Sequence, residues 1–136
     1  MAMSASGPSR KRRQGIDAAT RSQLVALARR SRTRTAKFTR SRPSVWQPAE
    51  VRNPTAALDT HFTEETAWQF IVSRLEAGEE VEVIELNQPA GAKGYVMRIE
   101  LGPDMPKLYV KLQMGSARVF GRSFHYSNRK WEDDRS

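Results

Sequence analysis

The C-terminal half of the chain contains four consecutive segments in which apolar and polar residues alternate. They read EVEVIEL, YVMRIEL, KLYVKLQM and ARVFGRSFHYS. Strict alternation is typical of β-strands that bury one face. The stretches between them, NQPAGAKG, GPDMP and GS, are short, and Gly and Pro recur in them, which indicates turns. Because consecutive strands joined by short turns pair with one another, the pattern predicts a four-stranded antiparallel sheet.

A helix is predicted immediately before these strands. Thr63 is followed by EET, so Glu65 or Thr66 can close a capping box, and the acidic residues suit a helix N-terminus. Gly78 is a natural stop. Four apolar residues between them recur at helical spacing: Ala67, Phe70, Ile71 and Leu75. One helix packed on a four-stranded antiparallel sheet gives an α+β domain, which we place at residues 58–128.

The positive charge of the chain lies in its N-terminal part. The 136 residues carry a net charge of +8, but residues 1–50 hold 12 of the 23 Lys and Arg and only 2 of the 15 Asp and Glu. Residues 1–50 are therefore at +10, and residues 51–136 at −2. We interpret residues 1–57 as a basic, partly disordered extension with a short helix at about 17–31, and residues 129–136 as a polar tail. Residues 31–55 contain three prolines and are interpreted as a linker or as a segment that becomes ordered only on a partner.

A basic extension of this kind favours a polyanionic partner, because binding releases counterions from it. Nucleic acid is the first candidate. A ribosome, an acidic protein or an anionic membrane surface would attract the same charge, and a basic tail that only aids solubility is the alternative. Trp46 could stack on a base or pack in a core. The residues that we predict to contact RNA are Arg10, Lys11, Arg12, Arg13, Arg29, Arg30, Arg32, Arg34, Lys93 and Arg98.

Composition limits the remaining classes of protein. The absence of cysteine excludes disulfides and thiolate metal sites. No apolar run reaches the roughly 20 residues that span a bilayer, and residues 1–13 lack the apolar centre of a signal peptide. We therefore predict a cytoplasmic protein without a membrane partner.

The last two strands carry the candidate catalytic residues. If Leu108, Val110 and Leu112 face the core, Tyr109 and Lys111 point to the opposite side of the sheet. If Phe120 and Phe124 also face the core, Ser123 and His125 lie on the same open face as Tyr109 and Lys111. Arg122 then reaches that face through a bulge at Gly121. A two-residue GS hairpin would make the two strands neighbours.

This set of side chains suits RNA cleavage without a metal or another cofactor. Such cleavage needs a base for the 2′-hydroxyl proton, cations for the phosphorane and an acid for the leaving oxygen. His125 can exchange protons near neutral pH. Lys111 and Arg122 can hold phosphate, Tyr109 can donate a hydrogen bond or stack on a base, and Ser123 can position a group.

The segment LYVKLQMGSARVFGRSFHYS resembles the C-terminal half of the MqsR-like toxins, which belong to the RelE-like messenger-RNA interferases of toxin–antitoxin systems. These toxins place a Tyr-x-Lys strand before a final strand reading Ser-Phe-basic. The matching positions are Tyr109, Lys111 and Ser123 to His125. The resemblance covers about residues 63–127, and it implies a RelE-like fold, an endoribonuclease and a cognate antitoxin. Tyr109 and His125 would take the places of the family's catalytic tyrosine and its last catalytic cation.

The chain also departs from the family pattern. The family has a further lysine and a glutamine on earlier elements, for which Lys93, Arg98 and Gln113 are candidates by chemistry alone. The basic N-terminal region and the residues after the last strand are also unlike the family. Two other hypotheses stay open: a non-catalytic nucleic-acid- or ribosome-binding module, and a regulatory protein that keeps the fold without the chemistry.

Overall fold

The computed structural model of the protein describes residues 15–36, 45–56, 60–86 and 91–127. Within them lie two helices, α1 (Ala18–Arg29) and α2 (Glu64–Glu76), and two 3-10 turns, Ser31–Thr33 and Pro48–Glu50. The strands are β1 (Arg34–Ala36), β2 (Val45–Trp46), β3 (Glu82–Glu85), β4 (Lys93–Ile99), β5 (Leu108–Gly115) and β6 (Arg118–Tyr126). The predicted α+β class is confirmed. Neither described helix is long and apolar enough to cross a membrane.

The start of α2 follows from its first residues. Thr63 Oγ1 accepts a hydrogen bond from the amide of Thr66 at 3.1 Å, and Thr66 Oγ1 accepts one from the amide of Thr63 at 2.8 Å. The capping box predicted for Glu65 or Thr66 is thus closed by Thr66. The helix ends before Gly78, whose φ of 88° lies in the left-handed region that glycine adopts at low cost.

The sheet is larger than predicted and is mixed. Strands β3 to β6 pair antiparallel in chain order, as the alternation predicts. The prediction of a sheet with only these four strands is wrong, because β1 and β2 both pair parallel to β6 along its outer edge. An edge strand leaves a row of peptide groups to be satisfied, and here the N-terminal segment satisfies them. The amide of Gln47, for example, donates to the carbonyl of Phe124 at 2.9 Å.

The N-terminal segment is built into the domain. Asp17 caps α1 by accepting from the amide of Thr20 at 2.8 Å, close to the start of the helix predicted at about 17–31. Leu24 of α1 is fully buried, and Trp46 of β2, only 5% exposed, belongs to the same hydrophobic core. The described part of residues 31–55 therefore forms strands and turns within the domain, where a linker or a segment ordered only on a partner was predicted. The predictions for residues 1–14 and 129–136 fall outside the described residues.

The core lies between the two helices and one face of the sheet. On β4 and β5, the residues that alternation assigns to that face are buried in it: Tyr95, Met97, Ile99, Leu108, Val110 and Leu112. α2 contributes six buried residues to the same cluster, from Ala67 to Leu75. Because both helices cover this face, side chains of opposite parity on β4 and β5 point to the other side of the sheet, where the candidate catalytic residues lie.

Candidate functional site

An irregularity in β6 decides which of its side chains share a face. Lys111 pairs with Ser123, but Leu112 pairs with Gly121, so Arg122 is an extra residue on β6. Such a bulge reverses the alternation along the strand. Phe124, opposite Val110, is fully buried in the core. Phe120 pairs with Gln113 and lies on the opposite face, so the expectation that both phenylalanines are core residues is wrong for Phe120.

The bulge brings the predicted catalytic residues together. Tyr109 is the direct register partner of His125, and their rings stack with centroids 5.3 Å apart and planes inclined by 29°. Lys111 is the partner of Ser123 on the same face. Arg122 joins them, because its Nη1 donates to Oε1 of Gln113 at 2.6 Å. We call this surface the polar face; it consists of Arg98, Tyr109, Lys111, Gln113, Arg122, Ser123 and His125.

The polar face is not the open, solvated surface that the alternation predicted. The exposed fraction is 0% for Tyr109, 2% for Ser123, and 5% for both Lys111 and His125. Buried polar and charged groups require hydrogen-bonding partners, since each one loses its hydration. Charges also act on one another more strongly where water is excluded. The site therefore has the electrostatic character of an interior rather than of a solvated strand surface.

The hydrogen bond of the His125 ring fixes which nitrogen carries the proton in its neutral form. Nδ1 lies 2.8 Å from the carbonyl oxygen of Tyr126. A carbonyl oxygen only accepts hydrogen bonds, so Nδ1 must be the donor, and Nε2 then holds the lone pair. The neutral imidazole is thus a base through Nε2, while its backbone contact holds the ring against Tyr109.

Arg98 of β4 adds a second neighbour to Tyr109. Its guanidinium carbon lies 5.4 Å from the Tyr109 ring centroid, and its Nη1 donates to Oε1 of Glu82 at 2.8 Å. Arg98 was predicted as an RNA contact and as one candidate for the family's additional polar residues, and Glu82 was not predicted as a site residue. Alternation already turns Arg98 away from the core, but the register that puts it opposite Tyr109 could not be obtained from the sequence.

The other predicted RNA contacts that the structure describes lie around the end of α1, apart from Lys93. Arg10, Lys11, Arg12 and Arg13 lie outside the described residues. Arg29, Arg30 and Arg32 are exposed, with Arg29 paired to Glu76, and Lys93 is exposed at the start of β4. Arg34 has a structural role instead: its side chain is 9% exposed, it donates to the carbonyl of Ala28 and to Glu65, each at 2.9 Å, and it lies over the ring of Trp68. Trp46, the candidate base-stacking residue, is in the core.

Among the described residues, this site has no set of side chains that could bind a metal ion. Across residues 15–36, 45–56, 60–86 and 91–127, no group of three His, Cys, Asp or Glu side chains is placed to hold an ion. No family model, curated protein or solved structure matches the chain. The geometry of the polar face and the short motif that resembles the MqsR-like toxins are therefore the features of the chain that bear on its function.

Proposed function

We propose that the protein is a metal-independent endoribonuclease toxin of the RelE-like, MqsR-like group, which cleaves messenger RNA and is held by a cognate antitoxin. The observation that carries this proposal is the pairing of Tyr109 with His125 and of Lys111 with Ser123 on one face of two adjacent strands. A potential base, a phenolic hydroxyl and a cation thereby lie side by side, with the guanidinium of Arg122 on the same face.

The arrangement supports a specific reaction. Nε2 of His125 removes the proton of the 2′-hydroxyl, and the 2′-oxygen attacks the adjacent phosphorus. The bond from phosphorus to the 5′-oxygen breaks, which leaves a 2′,3′-cyclic phosphate on one product. The hydroxyl of Tyr109 gives its proton to the departing 5′-oxygen and recovers one from the protonated His125. Lys111 and Arg122 stabilise the charge that develops on the phosphorane.

Burial of the site bears on this mechanism. Cations in a water-excluded site stabilise a phosphorane more strongly than cations in water, which favours catalysis. The same burial requires that RNA binding uncovers Tyr109 and His125, which are 0% and 5% exposed. RNA affinity should therefore include the free energy of opening this face, and substitutions in it should alter cleavage more than they alter binding.

The test is cleavage of RNA by the purified protein, together with growth arrest on expression. We expect cleavage to persist in EDTA and to fall by about 10²–10⁴-fold in His125→Ala and in Tyr109→Phe, with RNA binding largely retained. His61→Ala is the matched control, because His61 is the second histidine of the chain and is exposed outside the site. Full cleavage by both site variants would eliminate the proposed active site.

One observation favours a second candidate function, a non-catalytic nucleic-acid-binding module. The polar face is buried, whereas Arg29, Arg30 and Arg32 are exposed around the end of α1. In that case Arg30→Gln combined with Arg32→Gln should weaken RNA binding. The slope of the logarithm of the binding constant against the logarithm of the salt concentration should also become shallower by about 1–2. His125→Ala should change nothing. Deletion of residues 1–50 is not a clean test, because Leu24 and Trp46 belong to the core.

A further inference from the structure

We infer that Arg98 and Glu82 are positioning residues of the site: together they orient Tyr109 so that its hydroxyl, not its ring face, meets the RNA. This inference rests on the proposed function for its catalytic consequence. The structural part of the inference does not depend on that function. It is a row of four side chains in contact across β3, β4, β5 and β6: Glu82, Arg98, Tyr109 and His125.

The row is continuous. Arg98 is the register partner of Tyr109, and Tyr109 is the partner of His125. Glu82 pairs with Val96, two residues from Arg98 and on the same face of β4, so its carboxylate reaches the guanidinium diagonally. The Glu82 and Arg98 side chains are 26% and 33% exposed, so the ion pair lies at the margin of the buried polar face.

The two neighbours of Tyr109 occupy opposite sides of its ring. Strand β5 lies between β4 and β6, so Arg98 approaches from one side and His125 from the other, at 5.4 and 5.3 Å from the ring centroid. A base that stacked on Tyr109 would have to displace one of them. A cation over an aromatic face and a stacked imidazole both stabilise this placement. The ring is thereby held, and its hydroxyl is the group that the arrangement presents for chemistry.

Removing Arg98 should therefore act through Tyr109. We expect Arg98→Met to lower kcat for RNA cleavage by about 10–100-fold with a KM change below about threefold, because a small misplacement of a catalytic group is costly. Glu82→Gln should have a smaller effect in the same direction. In a Tyr109→Phe background, Arg98→Met should cost little more, since the hydroxyl that Arg98 positions is already gone. Arg118→Met is the matched control, because Arg118 is an exposed arginine elsewhere on the sheet.

A spectroscopic readout tests the inference without any activity. The chain has two histidines, so the ring protons of His125 can be followed by NMR with exposed His61 as an internal reference. Stacking on Tyr109 should shift the His125 signals, and Arg98→Met should move them towards unstacked values while Arg118→Met leaves them in place. Unchanged His125 signals in Arg98→Met would overturn the inference even if the protein cleaves RNA. Absence of cleavage by the wild-type protein would overturn the proposed function. It would not overturn the inference that Arg98 positions Tyr109, because the His125 signals test that inference without cleavage.

Discussion

Glu64 joins the two tryptophans of the core, and its substitution gives the most direct test of how the N-terminal segment is held. Oε1 accepts from Nε1 of Trp46 at 2.9 Å, and Oε2 accepts from Nε1 of Trp68 at 2.8 Å. The two tryptophan rings pack with centroids 5.0 Å apart, and their residues are 5% and 1% exposed. One carboxylate therefore satisfies two indole groups that water reaches poorly.

Glu64→Gln should lower the free energy of unfolding by about 2–3 kcal/mol. The amide of glutamine has one carbonyl oxygen, and its NH₂ group is a donor, so one indole N–H loses its acceptor. Because residue 64 is itself exposed, this loss costs about 1–2 kcal/mol, the lower part of the range for a buried donor. The indole that keeps an acceptor exchanges a hydrogen bond to a charged group for a neutral one, which is about 1 kcal/mol weaker. At an m-value of about 2 kcal/mol/M, the urea concentration at which half of the protein is unfolded should fall by about 1 M or slightly more.

Glu65→Gln is the matched control. It removes the same charge from the first turn of α2, but Glu65 is 65% exposed and an amide can still accept from Arg34. The control should change stability by less than about 1 kcal/mol. Urea unfolding followed by tryptophan fluorescence measures both variants. Equal midpoints for Glu64→Gln and Glu65→Gln would refute the reasoning that the two indoles depend on Glu64.

Two further predictions follow from packing and ionisation. Gly121→Ala should lower the free energy of unfolding by about 1–3 kcal/mol, because a Cβ there would lie 2.6 Å from Cη2 and 2.7 Å from Cε3 of Trp46. Gly15→Ala is the control in the same urea titration, because its Cβ would make only an ordinary van der Waals contact. Burial, and then the charge of Asp17, raise the pKa of Tyr95 above its ordinary value near 10. The unfolded chain then loses this proton first, so stability should fall as pH rises through about 10 and above, and Tyr95→Phe should lessen that fall. Parallel pH profiles for the two proteins would contradict this assignment.

Where the periodicity is unbroken, the sequence predicts the helices and strands well. It also predicts on which face of the sheet each side chain lies. Thr63, the apolar spacing after it and Gly78 suffice for α2, and the alternation in β4 and β5 assigns residues such as Met97 and Val110 to the core. It also puts Tyr109 and Lys111 on the other side of the sheet. These results depend only on nearest neighbours and on the period of each element, which is why they are accessible without a structure.

The errors share a different physical origin. Phe120 has the parity of Phe124, but the extra residue Arg122 changes the face between them, and the position of a bulge depends on the partner strand. Composition makes residues 31–55 resemble a linker, yet a two-residue strand such as β2 gains its hydrogen bonds from β6, far away in the chain. The burial of Tyr109 and His125 likewise depends on tertiary packing, which the alternation of residues does not predict.

The strand that carries His125 is held from both sides, and this links the N-terminal segment to the polar face. β5 pairs with one edge of β6, while on the other edge Trp46 pairs with Phe124, the residue directly before His125. The amide of Arg52 also donates to the hydroxyl of Tyr126, directly after it, at 3.1 Å. Movement of β2 would therefore displace the backbone at Phe124, next to the imidazole, and movement of Arg52 would release the side chain of Tyr126. If His125 is the base that we propose, residues whose composition suggests a linker are required for its position, and changes at Glu64 or Gly121 should reduce cleavage to the extent that they loosen Trp46 from β6.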